Sequence, residues 1–300
     1  MKLVTIQSQQ GAQLGVLTAE GVLNVVEAQA VLADANAPQT THQVIEGGAD
    51  ALQALQSYVD RALALAPAEK TKFLKPESDI AFGPSVPKPS KIICVGLNYR
   101  RHAEETNAAI PASPILFNKF DNTLTGHLSN IPLPRTSSKV DYEVELCMVI
   151  GKQAKYVDKA DALDYVFGYT IVNDISARDL QLRTSQWLLG KSCDGFSPLG
   201  PYLVSADEVG DPNNLNLKLS VNGEVRQDSN TSDMIFHCDE IVSYISQHMT
   251  LYPGDIILTG TPEGVVLGYP EDKQVYLKAG DVMVVEIEKL GVLTNTMVNE

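Results

Sequence analysis

The acids in Asp141-Tyr-Glu-Val-Glu-Leu-Cys-Met-Val-Ile150 carry the strongest chemical signal in the chain. Val144, Leu146, Met148 and Ile150 alternate with Glu143, Glu145, Cys147 and Val149, which is the period of a strand. Residues two apart share a face, so Glu143 and Glu145 stand side by side, roughly 7 Å apart along the chain. Two carboxylates on an apolar strand are unfavourable unless something compensates them. A divalent cation held between them would do so, and oxygen-only ligation suits Mg²⁺ or Mn²⁺. The same pattern also fits an edge strand with two solvated acids on its wet face.

Two further groups have the right types. Asp174 closes the apolar run Phe167-Gly-Tyr-Thr-Ile-Val-Asn-Asp174, where an acid either ligates a metal or caps the following Ser-Ala-Arg-Asp-Leu helix. His102 and Glu105 are three apart in a stretch of helical composition, so they share a face. A plain solvated helix would show the same spacing.

The elements that would position these groups follow from periodicity. Residues 1–30 alternate in short pieces, with Gly11 and Gly21 at turns, which predicts a small antiparallel sheet. Leu52, Leu55, Val59, Ala62 and Leu63 recur at helical spacing and predict a helix over 51–66. Residues 76–90 hold four prolines and predict an extended connector. The expected organisation is therefore a small N-terminal α/β domain (1–75), a Pro-rich linker (76–90) and a larger domain (91–300). In the larger unit, 91–96, 115–119, 167–174, 202–205, 215–221, 224–226, 256–258 and 281–288 read as strands. Asn222-Gly223 is a hairpin turn. Helices are expected over 97–106 and 239–248, with a short one capped by Asp158, and 123–141 reads as loop. The fold class is mainly β with short helices (α+β).

Composition narrows the partners. The chain has 37 acidic against 23 basic residues, a formal charge of −14, which argues against binding nucleic acid or anionic membrane. No apolar run reaches membrane-spanning length, and the first ten residues lack a signal-peptide core. Cys94, Cys147, Cys193 and Cys238 form no CxxC pair, which fits a reducing cytoplasm. There is no GxSxG elbow, P-loop or HExxH motif.

Five motifs in order resemble the fumarylacetoacetate hydrolase family, nearest its bacterial acylpyruvase and oxaloacetate-decarboxylase branch. They are Gly96-Leu-Asn-Tyr-Arg-Arg-His102-Ala-Glu-Glu105, Asp141-Tyr-Glu143-Val-Glu145-Leu, Asn173-Asp174-Ile-Ser-Ala-Arg178-Asp179, Gly190-Lys191-Ser and Thr259-Gly-Thr-Pro-Glu-Gly264-Val. The resemblance implies a β-roll catalytic domain, a homodimer and one Mg²⁺ or Mn²⁺ on Glu143, Glu145 and Asp174. It makes His102 and Glu105 a water-activating pair and sends Lys191 to the keto or enolate oxygen of the substrate. Arg178 would meet the substrate carboxylate, hold Asp174, or form a structural salt bridge. Gly260 and Thr261 would offer an N–H and a hydroxyl to the carboxylate, unless the loop is a plain turn. Residues 118–121 and 195–197 depart from relatives and are expected near the distal end of the substrate. The helix carrying His102 could close as a lid.

The implied reaction is hydrolysis of the C–C bond of a 2,4-dioxo acid, of acylpyruvate, fumarylpyruvate or diketo-deoxy-sugar-acid type, to pyruvate and a carboxylic acid. Metal and cation would stabilise the enolate. Oxaloacetate decarboxylation, or isomerisation or hydration of an unsaturated 2-oxo acid, would use the same site. A non-catalytic binder on this scaffold would have no need for the His102–Glu105 pair.

Overall fold

The computed structural model spans Met1–Glu300. In chain order the strands are β1 (Lys2–Ser8), β2 (Gly11–Thr18), β3 (Gly21–Asn24), β4 (Leu74–Lys75), β5 (Ile92–Gly96), β6 (Ile115–Lys119), β7 (Leu124–Thr125), β8 (Asn130–Leu133) and β9 (Val140–Asp141). They continue with β10 (Val144–Ile150), β11 (Val166–Asn173), β12 (Ser176–Ala177), β13 (Ser197–Ser205), β14 (Asn216–Val221), β15 (Glu224–Asn230), β16 (Ile256–Leu258), β17 (Val282–Ile287) and β18 (Gly291–Asn299). The main sheet runs β4-β3-β2-β1-β13-β11-β10-β16-β5-β6, with β7 beside β13. A smaller sheet runs β15-β14-β17-β18-β8, and β12 pairs with β9 alone. The fold is mainly β with short helices, as the residue pattern predicts.

The position of β10 decides the first question. It lies between β11 and β16, and every residue in it is buried. Val144, Leu146, Met148 and Ile150 face the smaller sheet and share one core with Leu217, Leu219, Met283 and Val285. Cys147 and Val149 point the other way, into a core with Val44, Ile45, Leu55 and Val59 of the long N-terminal helix. The edge-strand alternative is therefore wrong, because neither face of this strand meets water.

Several local expectations need correction. The long helix covers Thr41–Leu63, not 51–66, and opens with a capping box between Thr40 and Gln43. Its first turns escape the apolar period because Gly48 interrupts them at φ 56°. Asp158 precedes the 3₁₀ segment Lys159–Tyr165, but its side chain caps nothing. The expected loop over 123–141 contains β7, β8 and β9. β8 pairs in parallel with β18, Ile131 opposite Met297, a partner too distant in sequence for a local pattern to reveal. At the N-terminal end, β1 pairs with β13, Leu3 opposite Leu203, so the first strands extend the main sheet.

Candidate metal centre and substrate cavity

Glu143 precedes β10 and Glu145 is its second residue. The antiparallel register sets Val144 opposite Asn173, so Asp174, just past the end of β11, returns to Glu143. The Asp174 N–H donates to the Glu143 carbonyl at 2.9 Å, and the Asn173 side chain accepts from the Glu143 N–H at 2.9 Å. One carboxylate oxygen from each of Glu143, Glu145 and Asp174 lies within 4.8 Å of the others, and all three residues are buried.

Three cations surround these acids. Lys191 Nζ donates to Glu143 Oε2 at 2.5 Å and to Asp174 Oδ2 at 2.7 Å. Arg178 donates from Nε to Asp141 Oδ2 and from Nη2 to Glu143 Oε1, both at 2.8 Å. Lys119 Nζ donates to Asp174 Oδ1 and to the Phe196 carbonyl. Burial alone would push the Glu143 carboxyl up, but Lys191 and Arg178 outweigh it and hold the group at about 2. Glu145 has no such partner. Burial, then the charges of Asp174 and Glu143, push its carboxyl well above the usual carboxylate range.

This imbalance bears on whether a metal fits. Four buried acids (Asp141, Glu143, Glu145 and Asp174) face three buried cations, and Glu145 is the acid left without one. Its only hydrogen bond is from the Gly260 N–H, at 2.8 Å. A hard divalent ion takes carboxylate oxygens and would supply the missing positive charge. The donor set fits Mg²⁺ or Mn²⁺.

The other expected residues converge on the same place. His102, Glu143, Glu145, Arg178, Lys191 and Thr261 line a cavity of about 200 Å³, with Phe117, Trp187 and Leu267 on its apolar walls. His102 Nδ1 lies 2.9 Å from Glu105 Oε1, and Glu105 Oε2 accepts from the Gly264 N–H at 3.0 Å. A carboxylate only accepts, so the proton of a neutral His102 sits on Nδ1 and Nε2 keeps its lone pair. Glycines permit this packing. A Cβ on Gly264 would come within 2.0 Å of the Arg226 carbonyl oxygen, and one on Gly268 within 2.5 Å of the Glu105 carboxyl carbon.

Two expectations change and one is narrowed. Gly260 does not present a free amide to a substrate, because Glu145 already takes it. Arg178 forms structural ion pairs with Asp141 and Glu143, one of the roles left open for it, and does not hold Asp174. Residues 118–121 and 195–197 do not sit only at the distal end, since Lys119 and the Phe196 carbonyl meet behind Asp174.

A family model described as fumarylacetoacetate (FAA) hydrolase, C-terminal, matches residues 91–298. The chain belongs to the fumarylacetoacetate hydrolase family. A bovine relative named oxaloacetate tautomerase FAHD2A, mitochondrial, is 44% identical over 303 residues, covering 99% of this chain and 92% of its own. The solved structure of fumarylacetoacetate hydrolase from psychrophilic Exiguobacterium antarcticum matches with a TM-score of 0.79 at 32% identity, covering 100% of both chains. Maleylpyruvate hydrolase from Sphingobium sp. SYK-6, solved with manganese(II) and pyruvate, gives 0.77 at 28% identity, over 100% of this chain and 99% of that one. The family is one of hydrolases, isomerases and tautomerases acting on small organic acids.

Sequence reasoning missed two members of this fumarylacetoacetate hydrolase centre. Asp141 is fully buried and accepts from Arg178, the Val266 N–H and the Leu267 N–H. Lys119 is equally hidden. A signal existed for both, a charged residue ending or preceding an apolar run, but their partners lie 37 and 55 residues away.

Proposed function

We propose that the protein interconverts the enol and keto forms of oxaloacetate or a similar small 2-oxo acid, with Mg²⁺ or Mn²⁺ on Glu143, Glu145 and Asp174. The observation that carries this is a single small cavity lined by Glu143 and Glu145 of a buried three-carboxylate set, by Lys191 and by a histidine with one free ring nitrogen. The choice of tautomerisation over the expected hydrolysis rests on the full-length relative named an oxaloacetate tautomerase.

Bound there, the ion supplies Lewis acidity and a template for the 1-carboxylate and 2-oxo group. Lys191 Nζ, fixed between Glu143 and Asp174, adds positive charge beside the oxygen that becomes anionic. In the keto direction, the enol hydroxyl proton is released to solvent. His102, protonated, gives the proton on Nε2 to C3 and reloads from solvent. Glu105 holds the Nδ1–H and keeps the ring aimed.

The test uses the ultraviolet absorbance of the enol, which the keto form lacks. With Mn²⁺ or Mg²⁺ the protein should speed the decay of that band beyond metal alone, and EDTA should remove the gain. No acceleration with either metal would sink the reading. C–C hydrolysis of a 2,4-dioxo acid is the second reading, favoured by the His102–Glu105 pair, which is also an arrangement for activating water. Pyruvate release from a panel of acylpyruvates, without enol turnover, would select it.

A further inference from the structure

β15 lies on an edge of the smaller sheet, and most of it is wet. Gln227 is the exception and is buried. The ladder with β14 explains why. Leu219 faces Gln227 while Ser220 faces Val225, so Arg226 is the extra residue of a bulge. A bulge re-aims the side chain beside it, here inward toward the catalytic strand.

The amide bonds on both sides. Gln227 Oε1 accepts from the Val144 N–H at 2.9 Å, the peptide between the two glutamates. Its Nε2 donates to Thr261 Oγ1 at 2.9 Å and to the Pro262 carbonyl at 3.0 Å. The bond to Thr261 has a direction. Nε2 can only donate, so Oγ1 must accept, and the hydroxyl keeps its own proton for another acceptor. Thr261 lines the cavity.

We propose that Gln227 is a positioning residue that sets the Thr261 hydroxyl as a hydrogen-bond donor to a substrate oxygen and fixes that loop to the Glu143–Glu145 strand. It acts through Thr261 and does not touch substrate. The inference rests on the 2-oxo acid reading of the cavity, but not on which reaction follows.

In Gln227→Glu the side chain becomes an acceptor only. It can still take the Val144 N–H, but it now draws the Thr261 proton away from the cavity. Calorimetric binding of oxalate, a planar 2-oxo acid mimic, to the Mn²⁺-loaded protein should weaken about tenfold, the size of one lost hydrogen bond. In turnover, KM should rise by a similar factor while kcat stays within about threefold. Thr261→Val should lose the same affinity, and adding Gln227→Glu to it should cost less than about a further twofold. Equal, additive losses in the two backgrounds would mean that Gln227 is merely structural and would overturn the proposal, as would unchanged oxalate binding by Gln227→Glu. Should Gln227→Glu not fold, Thr261→Ser and Thr261→Val decide with Gln227 intact. The proposal requires serine to keep oxalate affinity and valine to lose it, and equal affinities overturn it. Wild-type protein that binds oxalate but leaves the enol untouched would reject the tautomerase reading and leave this one standing. Wild-type protein that fails to bind oxalate would reject this one.

Discussion

Glu145 is the one acid of the centre without an ion-pair partner. Burial and two neighbouring carboxylates work against its charge, and only the nearby charge of Lys191 and one backbone amide work for it. Glu145→Gln keeps the shape and removes the charge. Without metal, the variant should melt at or above the wild-type temperature, because the cost of burying an ionisable carboxyl is gone. With Mn²⁺ in excess, wild type should gain stability, about 2.7 kcal/mol at a hundred times Kd, and the variant should gain almost none. A metal-dependent rise in melting temperature that survives in Glu145→Gln would remove this residue from the site. Arg178 is the opposite case, a cation shared by Asp141 and Glu143. Arg178→Leu strands Asp141 and leaves Glu143 with Lys191 alone, and chemical denaturation should show a loss of about 3–5 kcal/mol. The roles of these two residues were unequally legible. The spacing of Glu143 and Glu145 announces a shared face. Whether Arg178 serves the substrate or a buried acid depends on Asp141, 37 residues away, and no local pattern carries that.

At the scale of elements, alternation is what made β10, β14 and β17 readable, and an unbroken apolar run made β11 readable. Elements held by long-range pairing or by caps were not readable in the same way. β8 exists because β18 lies beside it, and the long helix starts where Thr40 and Gln43 bond each other, ahead of its apolar stripe. The two short helices Arg178–Gln181 and Leu188–Lys191 show how tightly elements set the chemistry. They cross at Gly190, where a Cβ would lie 2.4 Å from the Gln181 nitrogen and 2.6 Å from the Ala177 carbonyl oxygen. Neither contact is a flexible side-chain tip, so one helix must shift. Gly190→Ala should therefore cost about 1–3 kcal/mol of stability in a thermal melt. It should also cut kcat severalfold more than the exposed control Lys72→Ala, because Lys191 moves with its helix. Wild-type kcat in Gly190→Ala would show that Lys191 tolerates displacement, and its proposed place beside the reacting oxygen would fall.

For the whole molecule, the question is what covers the free end of the main sheet. β6 is its last strand, and an uncovered strand edge offers unpaired N–H and C=O groups to any other strand. Large apolar side chains stand exposed around it. Phe120 follows the strand directly, and Leu188 and Leu189 lie on the short helix that packs against it. Scattered exposed leucines need no explanation, but several near one sheet edge mark a contact surface. This same helix carries Lys191 at its inner end, so whatever covers Leu188 and Leu189 also steadies the proposed catalytic lysine. A second copy of the chain is the simplest cover, because a two-fold contact presents the same patch twice. Light scattering should then give about twice the 32.5 kDa chain mass. Leu189→Asp with Phe120→Asp should shift the protein to monomer, since buried acids at an apolar contact lack partners. Activity should fall with dissociation and recover at high protein concentration in the single variants, where association is weakened rather than lost. A double variant that stays dimeric would move the interface elsewhere, and a wild-type monomer would leave this edge to be explained by its own short length.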